Sequence, residues 1–250
     1  MKLGGSMIIH NAVEFDYCVE IALRSLLPVC DEVAIVDAES DDGTRSILME
    51  LVQEFPKLRV LAAPWKPNPG GWGGWLSDLS NVSRLALKES GCTHHIGLQA
   101  DEVLEVVDPA WFRHYIQAHP CALHRLNFWI DHRHLVPSGR VCNDKVIRCG
   151  PIDSTYVGDA ESILAEKPVL LDRPHIFHYG FIRRTEEYVA KAKPMHLAFT
   201  GTNYDPALDT MLEDKRKGFE QHIPLSACRV FNGDHPNLAK PWLRERGYDV

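Results

Sequence analysis

Polar side chains follow three short apolar segments in the first half of this chain. They occupy residues 10–11, 37–40 and 99–102, and the last group reads Gln-Ala-Asp-Glu. Each apolar segment is typical of a buried strand, and the carboxyl ends of parallel strands form a common ligand-binding edge. Carboxylates at such an edge suit a hard divalent cation that can neutralise a phosphate. A lone carboxylate after a strand usually caps a turn or faces solvent, so the prediction of one shared cleft depends on all three groups together.

The segments that must position these groups alternate between strand and helix patterns. Strands are predicted at residues 7–10, 33–37, 58–62 and 95–98, and helices at residues 15–27, 45–55 and 76–90. The turn Asp42-Gly43-Thr44 favours a helix start, and Gly91 favours a helix end. Strands that alternate with helices predict an α/β fold with a mostly parallel sheet and helices on both faces.

The second half of the chain has a less regular pattern. It predicts strands at 122–130, 141–148 and 170–179, and helices at 184–197 and 208–220. No Gly/Ser linker separates the halves, so we expect a single domain over residues 1–250. Residues 7–108 would form a nucleotide-sugar-binding half, and residues 109–250 a mixed acceptor half with a C-terminal extension. An alternative start at Met7 would place residues 1–6 outside the native chain.

Composition and missing motifs exclude several classes of protein. The net charge is −7, which disfavours a protein that coats nucleic acid. The seven Cys have scattered spacing without C-x-x-C, no apolar run is long enough to span a membrane, and no signal peptide is evident, so the cytoplasm is the expected location. The dinucleotide motif G-x-G-x-x-G, the P-loop and the esterase motif G-x-S-x-G are all absent.

Five segments together resemble family 2 glycosyltransferases of the GT-A fold, in a bacterial and phage subgroup. They are residues 25–45 with the D-G-T turn, 78–87, the Q-A-D-E segment, 178–184 with H-Y-G-x-x-R, and 232–236. The resemblance covers most of residues 7–240. It implies a metal-dependent, inverting transfer of a hexosyl or pentosyl group from a nucleoside-diphosphate sugar, most commonly a UDP-sugar, to a hydroxyl acceptor.

The resemblance also implies roles for particular residues. Asp101 and His178 would hold Mn²⁺ or Mg²⁺, which stabilises charge on the leaving diphosphate. Gln99 stands where the family has the first Asp of its Asp-x-Asp motif, and its amide would reach a ribose hydroxyl or a metal-bound water. The neighbouring Glu102 is expected to point away from the site. The remaining donor-binding residues would be His10, Asn11, Asp37, Glu39, Arg84, Arg183 and Lys191, with Asp37 on the nucleotide base and the last two on the diphosphate.

The catalytic base is expected in the acceptor half, because an inverting transfer must remove a proton from the acceptor hydroxyl. Gly158-Asp-Ala-Glu161 matches a segment of the subgroup, so Asp159 is the first candidate and Glu161 the second. The loop at residues 64–74 carries Trp65 and Trp72, with Trp75 directly after it, and is expected to form a lid over the donor. His132 and His134 have the H-x-H spacing of metal ligands, but without a third ligand nearby we expect a surface strand.

Two other functions remain open at this stage. A sugar-phosphate nucleotidyltransferase would have a related sheet, but residues 8–16 lack the Gly-rich, cationic loop of those enzymes. A non-catalytic nucleotide-sugar-binding protein is the other alternative, since Gln99 replaces an acidic residue. The acceptor could be a saccharide, a lipid carrier, a protein or a modified nucleic acid.

Overall fold

The computed structural model describes residues 1–68, 71–105, 108–140, 142–201 and 207–250. The strands in these ranges are β1 (Leu3–Ile9), β2 (Glu32–Asp37), β3 (Leu58–Ala62), β4 (His94–Gly97), β5 (Glu102–Leu104), β6 (Cys121–Trp129), β7 (His134–Leu135), β8 (Lys145–Pro151), β9 (Tyr156–Val157), β10 (Ser162–Ile163), β11 (Val169–Phe181) and β12 (Arg229–Val230). The helices are α1 (Val19–Leu26), α2 (Thr44–Glu54), α3 (Gly74–Glu89), α4 (Pro109–Ala118), α5 (Thr185–Thr200), α6 (Ala207–Glu213), α7 (Lys215–His222) and α8 (Ala239–Glu245), with a 3₁₀ turn at Leu225–Ala227.

The main sheet has a parallel part and a mixed part. Strands β3, β2, β1 and β4 lie side by side and are parallel. Strand β8 joins β4 in the antiparallel sense and leads to β6, and the long β11 runs parallel to β6 and antiparallel to β5. The predicted fold class, an α/β fold with a mostly parallel sheet and a mixed C-terminal half, is confirmed.

Helices cover both faces of the parallel strands. A Cβ on Gly4 would lie 2.9 Å from a methyl group of Leu87 in α3, whereas one on Gly5 would lie 2.8 Å from Leu26 in α1. Consecutive strand residues face opposite sides of a sheet, so the two helices lie on opposite faces. Glycine at both positions lets each helix approach the strand closely.

The first strand begins earlier than its sequence predicts. We expected it to start at Met7, but β1 begins at Leu3, and residues 4–9 pair in register with β2. Leu3 is fully buried, and its backbone N–H donates to Asp31 Oδ2 at 2.7 Å. Gly and Ser have low strand propensity, which hid this segment in the sequence, but small residues are what the tight helix packing requires.

Two helices in the second half also differ from the prediction. Helix α4 was not expected, although Asp108-Pro109 is a typical helix start, and the Asp108 carboxylate accepts from the N–H groups of Ala110 and Trp111. The single helix expected over 208–220 is divided into α6 and α7, because the side chain of Asp214 caps a new helix by accepting from Lys217 N. No helix in the described residues is long and apolar enough to cross a membrane.

Candidate active site

A cavity of about 570 Å³ opens beside the carboxyl ends of β1 and β4. Its walls come from these two strand ends, the loop around Asp159, the end of β11 and one face of α5. Seven of the residues predicted to form the site line it, namely His10, Gln99, Asp101, Asp159, Glu161, His178 and Lys191. Two of the three polar strand ends, at residues 10–11 and 99–102, therefore contribute to this cavity, whereas residues 37–40 contribute nothing to its lining.

Asp101 is surrounded by cationic groups at one end of the cavity. Its Oδ2 contacts a guanidinium nitrogen of Arg183 and lies 3.7 Å from His178 Nε2 and 3.9 Å from Lys191 Nζ. Burial acts to raise the pKa of Asp101, but His178, Arg183 and Lys191 outweigh it and hold the pKa well below its usual value. The neighbouring cations therefore favour the ionised form of this carboxylate.

Arg183 and Lys191 both lie against the ring of Tyr17. The guanidinium carbon of Arg183 is 4.0 Å from the ring centroid and Lys191 Nζ is 5.0 Å from it. Arg183 is buried and donates to the carbonyl of Phe15 at 3.0 Å, and its Nε has no hydrogen-bond partner among the described residues. The two cations are thus held together beside Asp101. Lys191 lines the cavity and could meet the oxygens of a diphosphate, whereas Arg183 is fully buried and is absent from the lining.

His178 presents one ring nitrogen to Asp101. Its Nδ1 lies 2.9 Å from Asn127 Oδ1, and because the Asn127 amide nitrogen donates elsewhere, this Oδ1 accepts the Nδ1 proton. Nε2 is then the ring nitrogen that faces Oδ2 of Asp101, and it could ligate a metal when it carries no proton.

Gly180 leaves room for a ligand between these two atoms. A Cβ at this position would lie 2.5 Å from His178 Nε2 and 3.0 Å from Asp101 Oδ2. The space that both atoms face therefore stays open because residue 180 is a glycine. No group of three His, Cys, Asp or Glu suitable for a metal occurs among the described residues. The pair fits a divalent cation whose other ligands are waters and phosphate oxygens, as is usual for Mg²⁺.

Asp159 and Glu161 lie across the same cavity in different surroundings. Glu161 is bound by Arg125 NH2 at 2.5 Å and by the Asn143 amide at 2.8 Å. Burial acts to raise its pKa, but Arg125 outweighs burial and the pKa is lowered. Asp159 makes no ion pair in the described part of the chain, and burial, together with the charge of Glu161, raises its pKa. Asp159 is thus the better proton acceptor of the two.

Aromatic rings form another wall of the cavity. The ring of His10 stacks on Trp65 with centroids 4.3 Å apart, and His10 Nδ1 donates to the carbonyl of Ala38 at 2.7 Å. Of the other two Trp of the expected lid, Trp75 is buried in α3 and Trp72 is 71% exposed. Residues 69 and 70 of that loop lie outside the described residues, so the lid stays a prediction.

The remaining predicted donor-binding residues are absent from the lining of the cavity as described. Asp37 is buried, accepts from Ser40 N, and pairs with Arg45 at 3.2 Å. Asn11 bonds to Ser40 and Asp41 in the same turn.

Glu39 and Arg84 also bond to protein groups outside the lining. Glu39 accepts from the backbone N–H of Trp65 at 3.0 Å. Arg84 donates to the carbonyl of Ile152 at 2.8 Å and to the side chain of Asn81. Their donor-binding roles, like those of Asp37 and Asn11, stay predictions. His134 pairs with Asp131 instead of acting with His132.

Glu102 points away from the cavity, as expected, and is absent from its lining. Three residues near the site were missed from the sequence. Arg125 and Arg148 are almost fully buried and each forms an ion pair with Glu102, and Tyr17 supports the two cations. A charged residue within an apolar strand pattern, as at Arg125 and Arg148, is a usable signal, because such a residue must find a buried partner.

The chain has only distant similarity to known proteins. No protein-family model and no curated protein sequence matches it. Among solved structures it is similar to residues 1–349 of S. aureus TarS, with a TM-score of 0.46 and 15% identity over 90% of this chain and 76% of that one. The UDP complex of the same fragment gives a TM-score of 0.44 and 16% identity over 88% and 72%. GalNAc-T7 with UDP, GalNAc and Mn²⁺ gives a TM-score of 0.38 and 12% identity over 52% and 24%. At these values the function has to be argued from the residues of the site.

Proposed function

We propose that this protein is an inverting glycosyltransferase that moves a sugar from a UDP-sugar to a hydroxyl acceptor. The proposal rests on the five segments that resemble GT-A glycosyltransferases and on one observation about the cavity. Two of the carboxylates that line this cavity are Asp101, which is held among cations, and Asp159, which has a raised pKa. The first could hold a divalent cation that binds a diphosphate, and the second could accept a proton.

The residues divide the work of the reaction between the two sides. Lys191 would bind the diphosphate, Arg183 would hold Asp101 from the buried side, and Asp101 and His178 would hold Mn²⁺ or Mg²⁺. The metal would supply positive charge that stabilises the leaving UDP. The aromatic wall at His10 and Trp65 would pack against the donor.

Asp159 would carry out the proton transfer. It would take the proton of the acceptor hydroxyl while the acceptor oxygen bonds to the anomeric carbon and the bond from that carbon to the phosphate oxygen breaks. Glu161 would not compete for the proton, because Arg125 holds it ionised. The sugar would invert its configuration, since attack and departure occur on opposite faces of the carbon.

The identity of the donor can be tested by thermal stability. Binding to the folded state raises the unfolding midpoint, so UDP, GDP, CDP and dTDP are compared, each with Mn²⁺ and with EDTA. We expect UDP with Mn²⁺ to raise the midpoint of the wild type and to have no effect on Asp101→Ala. Asp153→Ala is the matched control, because Asp153 is exposed and its ion pair within the described residues is with Lys88 at the surface. If no nucleotide raises the midpoint of the wild type, the proposal is wrong.

A second assay separates catalysis from simple binding. UDP-glucose, UDP-galactose, UDP-GlcNAc, UDP-GalNAc and UDP-xylose are incubated with the protein and Mn²⁺, and release of UDP is measured. Slow hydrolysis of one donor supports an enzyme and distinguishes hexosyl from pentosyl transfer. UDP binding without hydrolysis of any donor would favour the non-catalytic alternative. The cytoplasm remains the predicted location.

A further inference from the structure

A buried network of charges joins the segment that carries Asp101 to the loop that carries Asp159. Glu102 is fully buried at its centre. Its Oε1 accepts from Arg148 NH2 at 2.6 Å and from Arg125 NH1 at 3.3 Å, and its Oε2 accepts from Gln99 N at 2.8 Å. One side chain therefore fixes the backbone of the Q-A-D-E segment and both buried guanidinium groups.

The two arginines pass this contact on to the loop around Asp159. Arg125 NH2 bonds to Glu161 Oε1 at 2.5 Å, and Arg148 NH1 donates to the carbonyl of Ala160 at 3.2 Å. Ala160 and Glu161 are the two residues that directly follow Asp159. The network contains two carboxylates and two guanidinium groups, so its charges balance without Asp159.

The other side of the same loop is fixed by α3. Ser77 Oγ donates to the carbonyl of Gly158 at 2.7 Å, and Asn81 bonds to both backbone groups of Tyr156. A Cβ on Gly73 would lie 2.7 Å from Asp159 Cβ, so the loop also packs directly against the start of this helix. The hydrogen bonds from α3 hold residues before Asp159, whereas the charge network holds the two residues after it.

We propose that Glu102 is a positioning residue for catalysis, which holds Asp159 in place through Arg148 and Arg125. This inference rests on the proposed function and adds a role for a residue that does not line the cavity. Without Glu102 the two arginines would share the single carboxylate of Glu161, and they would draw the loop away from its present position. A base displaced by about 1 Å can lose roughly 100-fold in rate.

The test compares three variants with the wild type in donor hydrolysis and thermal unfolding. Glu102→Gln leaves a buried positive charge unbalanced, so we expect both a lower midpoint and a lower kcat. The double variant Glu102→Gln/Arg148→Gln restores the charge balance, because only Arg125 and Glu161 remain. Arg148→Lys keeps the charge, but one ammonium group cannot reproduce the planar contacts to Glu102 and Ala160.

We expect the double variant to recover most of the unfolding midpoint, while its kcat stays roughly 10- to 100-fold below the wild type and its donor KM changes little. Arg148→Lys should show the same division between kcat and KM. The matched control is Glu32→Gln. Glu32 also lies between two cations, Lys2 at 2.9 Å and Arg59 at 2.8 Å, but it begins β2, at the opposite end from the cavity. It should lose stability without a change in kcat.

The outcomes separate the two proposals. Recovery of kcat together with the midpoint in the double variant would show that the network serves stability alone, and would overturn the positioning role. A rise in KM with unchanged kcat would overturn it as well. If the wild type neither binds UDP nor hydrolyses any donor, the proposed function is wrong and the role of Glu102 is lost with it.

Discussion

Asp101 and Asp159 face the same cavity, yet their surroundings give them opposite properties. Asp101 touches Arg183 and lies within 4 Å of His178 and Lys191, and its pKa is held well below the usual value. Asp159 makes no ion pair with the described residues, and its pKa is raised by burial and by Glu161. Burial acts in the same direction on both, so the difference comes from the neighbouring charges.

In the proposed reaction, this difference would let one cavity bind an anion and accept a proton at the same pH. Lys191, one of the cations that hold Asp101 ionised, lines the cavity and is available to phosphate oxygens. Near Asp159, the cation Arg125 already forms ion pairs with Glu102 and Glu161. Asp159 is therefore left as the carboxylate that can change its protonation state during a reaction.

The largest effect is expected from removing the proton acceptor. Asp159→Asn keeps the size and polarity of the side chain but abolishes its basicity, so kcat for donor hydrolysis should fall about 10²- to 10⁴-fold. Binding of UDP with Mn²⁺ should be unchanged. Turnover is measured by UDP release, with Glu161→Gln assayed alongside. A loss confined to Glu161→Gln would reverse the assignment of the base.

The second effect concerns stability on the Asp101 side. Asp101→Asn leaves Arg183 buried without its counter-ion, and the free energy of unfolding should fall by about 3 kcal/mol. The variant should also lose the stabilisation by UDP and Mn²⁺. Denaturant unfolding measures the first effect, and Asp153→Asn provides an exposed pair whose loss should not be measurable. Unchanged stability of Asp101→Asn would contradict the buried ion pair.

A third prediction tests the open space at Gly180. Gly180→Ala would insert a methyl group between His178 Nε2 and Asp101 Oδ2. Mn²⁺ affinity in the presence of UDP should fall by roughly 10- to 100-fold, as for disturbed metal ligands in other proteins. Calorimetric titration measures it, with Gly74→Ala as the control, because a Cβ there meets nothing within 4 Å. Equal Mn²⁺ affinities of Gly180→Ala and Gly74→Ala would show that the metal does not bind in this space.

The smallest effect is a shift in the pH dependence of kcat. Asp159 must be ionised to accept a proton, so activity should be lost as the pH falls through its raised pKa. The charge of Glu161 contributes to the raised pKa of Asp159. Neutralising Glu161 removes this contribution and also frees Arg125, whose positive charge lowers the pKa of Asp159. Glu161→Gln should therefore move the acid limb of the pH–rate profile to lower pH. A shift to higher pH would mean that Glu161 is not the charge that acts on Asp159.

The sequence predicted the parallel half of the fold and the position of the cleft. Residues 58–62 were predicted as a strand with the bounds that β3 has, and the polar strand ends at His10 and Gln99 do line the cavity. These features depend on local hydrophobic pattern and on the geometry of parallel strands, both of which are readable from one sequence.

The sequence could not show which polar residue meets which. Asp37 follows a strand as Gln99 does, yet it pairs with Arg45 and does not line the cavity. The link from Glu102 to Arg148 joins residues 46 positions apart, on strands whose pairing no local pattern specifies. Long-range contacts of this kind depend on the order of the strands in the sheet, which only the structure provides.

In the proposed reaction, Asp101 binds the donor and Asp159 reacts with the acceptor. Calorimetric titration of UDP in Mn²⁺ tests it most directly, with the wild type, Asp101→Asn and Asp159→Asn measured side by side. We predict that Asp159→Asn binds UDP like the wild type and that Asp101→Asn does not bind it. Equal binding by all three proteins, or loss of binding in both variants, would contradict this division between the two carboxylates.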